Sequence, residues 1–136
     1  MRLSAALREE IVAAARAALP NEAVGLLVSA AGPERYVAMI NAAESPYRYS
    51  IDPTEQLRVW TELDAGGESV WSIVHSHVSS PAVPSKTDVE LAYFPDSLYV
   101  IVSLADPEAP DVRAWSIVRG TFTEVPLTAG VISRTP

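Results

Sequence analysis

Apolar residues recur three and four apart at Leu7, Ile11, Ala14, Ala15 and Ala18, with Arg8, Glu9 and Arg16 off the stripe. That spacing predicts an amphipathic helix from Ala5 to about Leu19. Ser4 is placed to cap it and Pro20 to end it. The period then changes. Ala23 to Val28 is an unbroken apolar run, the pattern of a short buried strand. Ala31-Gly32-Pro33 turns the chain into a second strand over Arg35 to Asn41, making a hairpin. Asn41 to Ser50 shows no period. Asp52-Pro53-Thr54-Glu55 joins a cap, a proline at the first helical position and an acid three residues after the cap. It predicts a helix to about Asp64 that buries Leu57, Trp60 and Leu63 and stops at Gly66-Gly67. Val70 to Val74 is another buried-strand run. A loop with Pro81 and Pro84 leads to a helix from about Lys86 to Phe94, ended by Pro95. An apolar strand over Ser97 to Leu104 follows, then a turn marked by Asp106-Pro107 and Pro110-Asp111. Val112 to Arg119 is its antiparallel neighbour, and Gly120 turns the chain into Thr121 to Val125.

This order reads as one mixed α/β (α+β) domain over residues 1–126, a largely antiparallel sheet flanked by helices, with a loose tail over 127–136. Trp60, Trp71 and Trp115 are expected in its core. No apolar run approaches the roughly 18 residues of a membrane span. Met1-Arg2 opens a charged amphipathic segment and not an apolar leader, so a cytoplasmic protein is expected. The chain has no cysteine, so any metal must be held by nitrogen and oxygen. Its net charge of −7 argues against a nucleic-acid or anionic-membrane partner.

The run HSHVSSPAVPSKTD, His75 to Asp88, contains both histidines of the chain. Side chains at i and i+2 of a strand share a face. His75 and His77 therefore leave the end of their strand on one side, and a helix opening at Ser85 carries Asp88 back towards them. Two imidazoles and a carboxylate form a three-ligand set for a catalytic zinc, with the fourth position left for water. Each half also has a plainer reading. Strand histidines are often half-buried polar residues, and serine followed three residues later by an acid is a helix capping box.

Together, however, His-x-His, a gap of seven residues and Ser-x-x-Asp form the signature of the JAMM metalloproteases, the MPN-plus domain, with the spacing met at all four positions. Upstream, Pro20-Asn21-Glu22-Ala23-Val24-Gly25-Leu26-Leu27 sets a glutamate just after the first helix, where the family carries one. The chain resembles this family over essentially its whole length. The resemblance implies a single JAMM/MPN domain of cytidine-deaminase-like fold and one zinc ion bound by His75, His77 and Asp88. It implies that Glu22 holds the zinc water as general base and then acts as acid to the leaving amine. It implies that Ser85 donates to the oxyanion, a role compatible with capping through the same oxygen.

SPYRYSIDPTEQLRVW (Ser45 to Trp60), HSHVSSPAVPSKTDVELA (His75 to Ala92) and PDSLYVIVS (Pro95 to Ser103) are further similar to the Mec-type hydrolases of bacterial cysteine synthesis. That resemblance implies hydrolysis of a Gly–Cys amide at the end of a small ubiquitin-like sulfur carrier with a C-terminal Gly-Gly. A chain of 136 residues leaves little room for the insertions with which eukaryotic isopeptidases of the family grip a second ubiquitin. The chain departs from a common family form at Val78, where many members have proline, which bears on loop shape and substrate fit. Tyr47, Arg48, Tyr49 and Arg58 are candidates to line the groove for the carrier tail. The tyrosines equally suit ordinary packing, and Arg48 is either a solvated arginine or a partner for the carboxylate of the released cysteine. Two competing readings are a general deconjugating or processing protease for ubiquitin-like proteins and a non-catalytic scaffold of the same fold. The joint presence of Glu22, His75, His77, Ser85 and Asp88 speaks against the scaffold. A DNA-associated member is disfavoured by the charge.

Overall fold

A computed structural model of the chain describes residues 1–29 and 35–128. Its elements are α1 (Ala5–Ala18), β1 (Val24–Ser29), β2 (Arg35–Met39), α2 (Pro53–Ala65), β3 (Ser69–His77), α3 (Lys86–Glu90), β4 (Leu98–Ser103), β5 (Asp111–Val118) and β6 (Thr121–Val125). The strands form one sheet in the order β2-β1-β3-β4-β5-β6. Every neighbouring pair is antiparallel except β3 and β4, which are joined through α3. The turn expected at Ala31-Gly32-Pro33 lies outside the described residues.

Both faces of the sheet are covered, which is why β1 and β4 read as continuous apolar runs with no alternation. On one face Leu7, Ile11, Val12 and Ala15 of α1 meet Leu27, Val74, Val100 and Val102. On the other, Val59 and Leu63 of α2 meet Val24, Leu26, Ile73, Tyr99, Ile101 and Trp115. Side chains alternate between these two clusters along each central strand, as a pleated sheet requires. The β1–β3 register shifts between Leu27 and Val28, and this bulge turns Trp71 onto the α1 side, away from Ile73 and His75.

Several expectations need correction. Leu57 is 70% exposed, and the buried stripe of α2 is Val59 and Leu63, flanked by Trp60. Steps of three residues drift around a helix by about 60° each, so Leu57 falls well off the line through Val59 and Leu63. The third helix stops at Glu90 and does not run to Phe94. The Phe94 N–H donates to the hydroxyl of buried Tyr99 and not to a helical carbonyl. Of the three tryptophans only Trp115 is fully buried; Trp60 and Trp71 are half-buried. Of the tail, Thr128 exchanges backbone bonds with Met1 and Leu3, and residues 129–136 lie outside the described chain.

Candidate active site

The site forms where β3 ends. His75 and His77 are buried on the face covered by α2 and α3. The chain leaves β3 through residues 78–84, and three consecutive carbonyls of that loop are held by the sheet. Ser80 accepts from the Ser103 hydroxyl, Pro81 from His77 and Ala82 from the Trp115 indole. α3 then opens at Ser85 with a complete capping box: Ser85 Oγ accepts from the Asp88 N–H, and the Asp88 carboxylate accepts from the Ser85 N–H. The cap orients Asp88, with its Oδ1 3.2 Å from His75 Nε2 and its Oδ2 2.9 Å from His77 Nε2. The three residues are buried and their donor atoms lie within 4.8 Å of one another.

The hydrogen bonds and charges around the three residues show what they can hold. His77 Nδ1 lies 2.7 Å from the Pro81 carbonyl, which can only accept, so that nitrogen carries a proton. Its Nε2 then faces a carboxylate. Burial pushes the His77 pKa down, but the bonds to Asp88 and Pro81 outweigh burial and raise it. Burial pushes the Asp88 carboxyl up, yet contacts from both histidines and the Ser85 N–H hold it well below the usual carboxylate range. Among the described residues neither ring nitrogen of His75 has a hydrogen-bond partner, although its Nε2 lies 3.2 Å from Asp88 Oδ1. A buried imidazole with both nitrogens stranded is costly. A divalent cation shared by His75, His77 and Asp88 would satisfy it and replace the proton on His77. The His77–Pro81 bond is the outer-shell contact that fixes such a ligand's tautomer.

Glu22 reaches the site through register. Val24 pairs with His75 across β1 and β3, so two residues further Glu22 comes opposite His77 on the same face. Its backbone is held on both sides. Its N–H donates to Ser45, its carbonyl accepts from the Asn41 amide, and the following Ala23 N–H donates to Ser76 Oγ at 2.7 Å. The residue is 3% exposed, and Oε1 has no hydrogen-bond partner among the described residues. Burial pushes its pKa up to about 8; His77 lowers it and Asp88 raises it. Glu22 does not belong to the group that could share a metal. Its carboxyl faces that group from the end of β1. Ser85 spends a lone pair on its cap, while its hydroxyl proton has no acceptor among the described residues.

The family described as prokaryotic homologs of the JAB domain matches residues 4–118. The chain belongs to it. It is 43% identical over 128 residues to the CysO-cysteine peptidase of Mycobacterium tuberculosis, covering 92% of this chain and 88% of that protein. It is 33% identical over 115 residues to a desampylase of Haloferax volcanii, covering 76% and 80%. Among solved structures, a Desulfitobacterium hafniense protein superimposes with a TM-score of 0.83 at 36% identity, covering 93% and 90%. A JAB1/MPN domain protein of Archaeoglobus fulgidus shares the fold, with a TM-score of 0.59 at 22% identity over 93% of this chain and 98% of that one. This JAB-domain chain is therefore a JAMM-type hydrolase related to the carrier–cysteine peptidases, on the α+β fold expected from its sequence. No helix among the described residues is long and apolar enough to cross a membrane.

The four residues considered for the carrier groove do not sit together. Tyr49 lies with its ring centroid 4.6 Å from that of His75 and packs against the core. With Arg48 it lines one cavity. Tyr47 is 79% exposed. Arg58 lies elsewhere, in a depression between α2 and β2, paired with Glu62. Sequence reasoning missed two supports, Asn41 and Ser76. Asn41 ties the Glu22 carbonyl to residues 43, 48 and 50, and an asparagine opening an irregular, proline-containing segment was its one signal. Ser76 is a polar residue inside an apolar strand between the two histidines, itself a signal of a buried partner.

Proposed function

We propose that the chain is a zinc-dependent hydrolase that cleaves the amide bond after the C-terminal glycine of a small ubiquitin-like sulfur carrier and releases cysteine. The observation that carries this reading is the pairing of a buried, pKa-raised Glu22 with the three-donor cluster, in a chain 43% identical to a CysO-cysteine peptidase along 92% of its length. When bound by His75, His77 and Asp88, zinc supplies Lewis acidity, polarising the amide carbonyl and making water acidic enough to lose a proton near neutral pH. Glu22 Oε1 takes that proton as the water oxygen adds to the glycine carbonyl carbon. Ser85 Oγ–H donates to the carbonyl oxygen as it gains charge. Glu22 then returns the proton to the nitrogen as the C–N bond breaks, leaving a carrier carboxylate and a free amine.

The 33% identity to a desampylase supports a second reading, a deconjugating protease that removes a ubiquitin-like protein from another protein. The two separate when zinc-loaded enzyme is offered a carrier–cysteine adduct and a carrier–protein conjugate and the products are weighed by mass spectrometry. Release of cysteine in preference to the protein is expected. Preferential cleavage of the conjugate would replace the first reading by the second.

A further inference from the structure

Next to the donor cluster lies a cavity of about 330 Å³, lined by Arg48, Tyr49, Ile51, Gln56, Tyr93 and Phe94 among others. Three features tie it to the site. Tyr49 is a wall shared with His75. Ile73, also in its lining, stands two residues before His75 on the same face of β3. Leu91 lies one turn beyond Asp88 as α3 ends. The lining is mostly apolar and aromatic, with Ser50 and Gln56 beside them, and among the described residues Arg48 is its one charged side chain.

Arg48 is also uncommitted. Arg8 and Arg16 are spent on the carbonyls of Pro110 and Pro107, Arg35 on Glu68, Arg58 on Glu62, and Arg113 on Asp111 and Glu124. The Arg48 guanidinium has no hydrogen bond or ion pair among the described residues, although its carbonyl is held by Asn41. In a chain of net charge −7, an arginine left unpaired at the mouth of an apolar cavity is available to an anionic ligand. The guanidinium fork matches a carboxylate.

We infer that this cavity is the leaving-group pocket and that Arg48 binds the α-carboxylate of the released amino acid. The inference rests on the proposed cleavage after a carrier's terminal glycine. The carrier's two terminal glycines have no side chains, so at the positions next to the scissile bond the carrier has nothing to place in a cavity of this size. A single amino acid fills it instead: its side chain lies among Tyr49, Ile51 and Phe94, where a thiol packs as a small apolar group, and its carboxylate faces Arg48. A lysine linked through Nε brings no carboxylate to this position. The pocket therefore selects a free C-terminal amino acid against an isopeptide, making Arg48 a specificity-determining residue.

The test uses the zinc-loaded full chain and one ubiquitin-like carrier ending in Gly-Gly, ligated to cysteine, to cysteinamide or to the Nε of lysine. Wild type is expected to cleave the cysteine adduct with a kcat/KM roughly 10- to 100-fold above the cysteinamide adduct, the range of one charge-assisted bond. In Arg48→Gln that ratio is expected to fall to about 1, and Arg48→Lys to recover part of it. Arg48 is exposed, so both variants are expected to fold, and unchanged zinc content and melting temperature check this. A wild-type ratio near 1, or a ratio that survives Arg48→Gln, overturns the pocket assignment while leaving glycine-bond cleavage intact. Cleavage of the lysine adduct alone overturns both readings.

Discussion

Replacing Glu22 by glutamine is expected to move stability and activity in opposite directions. In the metal-free protein the Glu22 carboxyl is pushed from 4.5 to about 8, chiefly by burial. Below pH 4.5 it is protonated whether the chain is folded or not, and it adds no pH dependence. Between pH 4.5 and about 8 the unfolded chain ionises the group while the fold keeps it neutral, so stability falls as pH rises. At about 1.4 kcal/mol per pH unit, the whole interval amounts to at most ~5 kcal/mol. Relaxation of the site and water entering it reduce this, and roughly 2–4 kcal/mol is expected between pH 5 and pH 8. Glutamine keeps the shape and never ionises. Chelator-treated wild type and Glu22→Gln should therefore have similar unfolding free energies at pH 5, with the variant more stable by that amount at pH 8. The neighbouring His77 and Asp88 titrate in both proteins and largely cancel from the difference. With zinc restored, the same variant should retain the metal and lose roughly 10²–10⁴-fold in kcat, the usual loss for a general base. Urea titrations at the two pH values, metal analysis and steady-state kinetics measure the three quantities. A stability gap that does not grow with pH would falsify the burial argument. Zinc lost in parallel with activity would make Glu22 a ligand or a structural support.

Other substitutions separate the remaining roles. Protein purified without chelator should carry about one zinc per chain, and His77→Ala or Asp88→Asn should lose most of it; stoichiometric metal in both variants would remove them from the ligand set. Ser85→Ala is expected to destabilise the fold by about 1 kcal/mol through the lost cap and to lower kcat by roughly 10²–10³-fold through the lost oxyanion donor. A stability loss with unchanged kcat would leave Ser85 only the cap. Ser76→Ala strands the partly buried Ala23 N–H, so denaturant unfolding should show a loss of about 1 kcal/mol. Its kcat should fall with no loss of zinc, because the bond it breaks holds the segment that carries Glu22 into β1.

Local sequence already determined much of this molecule. The caps at Ser4, Asp52 and Ser85 were legible because a capping serine or aspartate bonds to backbone two or three residues away, a contact that needs no distant partner. The shared face of His75 and His77 follows from the strand period alone. The spacing to Ser85 and Asp88, with Glu22 upstream, carried the family. Tertiary structure decided what depends on pairing between distant segments. The β1–β3 register sets Glu22 opposite His77 across more than fifty residues, and a slip of one position would turn the carboxyl to the other face. The bulge at Leu27/Val28 sends Trp71 away from the histidines. Tyr99, buried from β4, takes the N–H that would have extended α3. Docking of α2 through Val59 and Leu63 leaves Leu57 exposed, and it sets Arg58, paired on the helix surface, in a different depression from Arg48, which lines the cavity beside His75. Bonds within a few residues are written in the chain, whereas a side chain's neighbours across the sheet exist only once the strands have found their register.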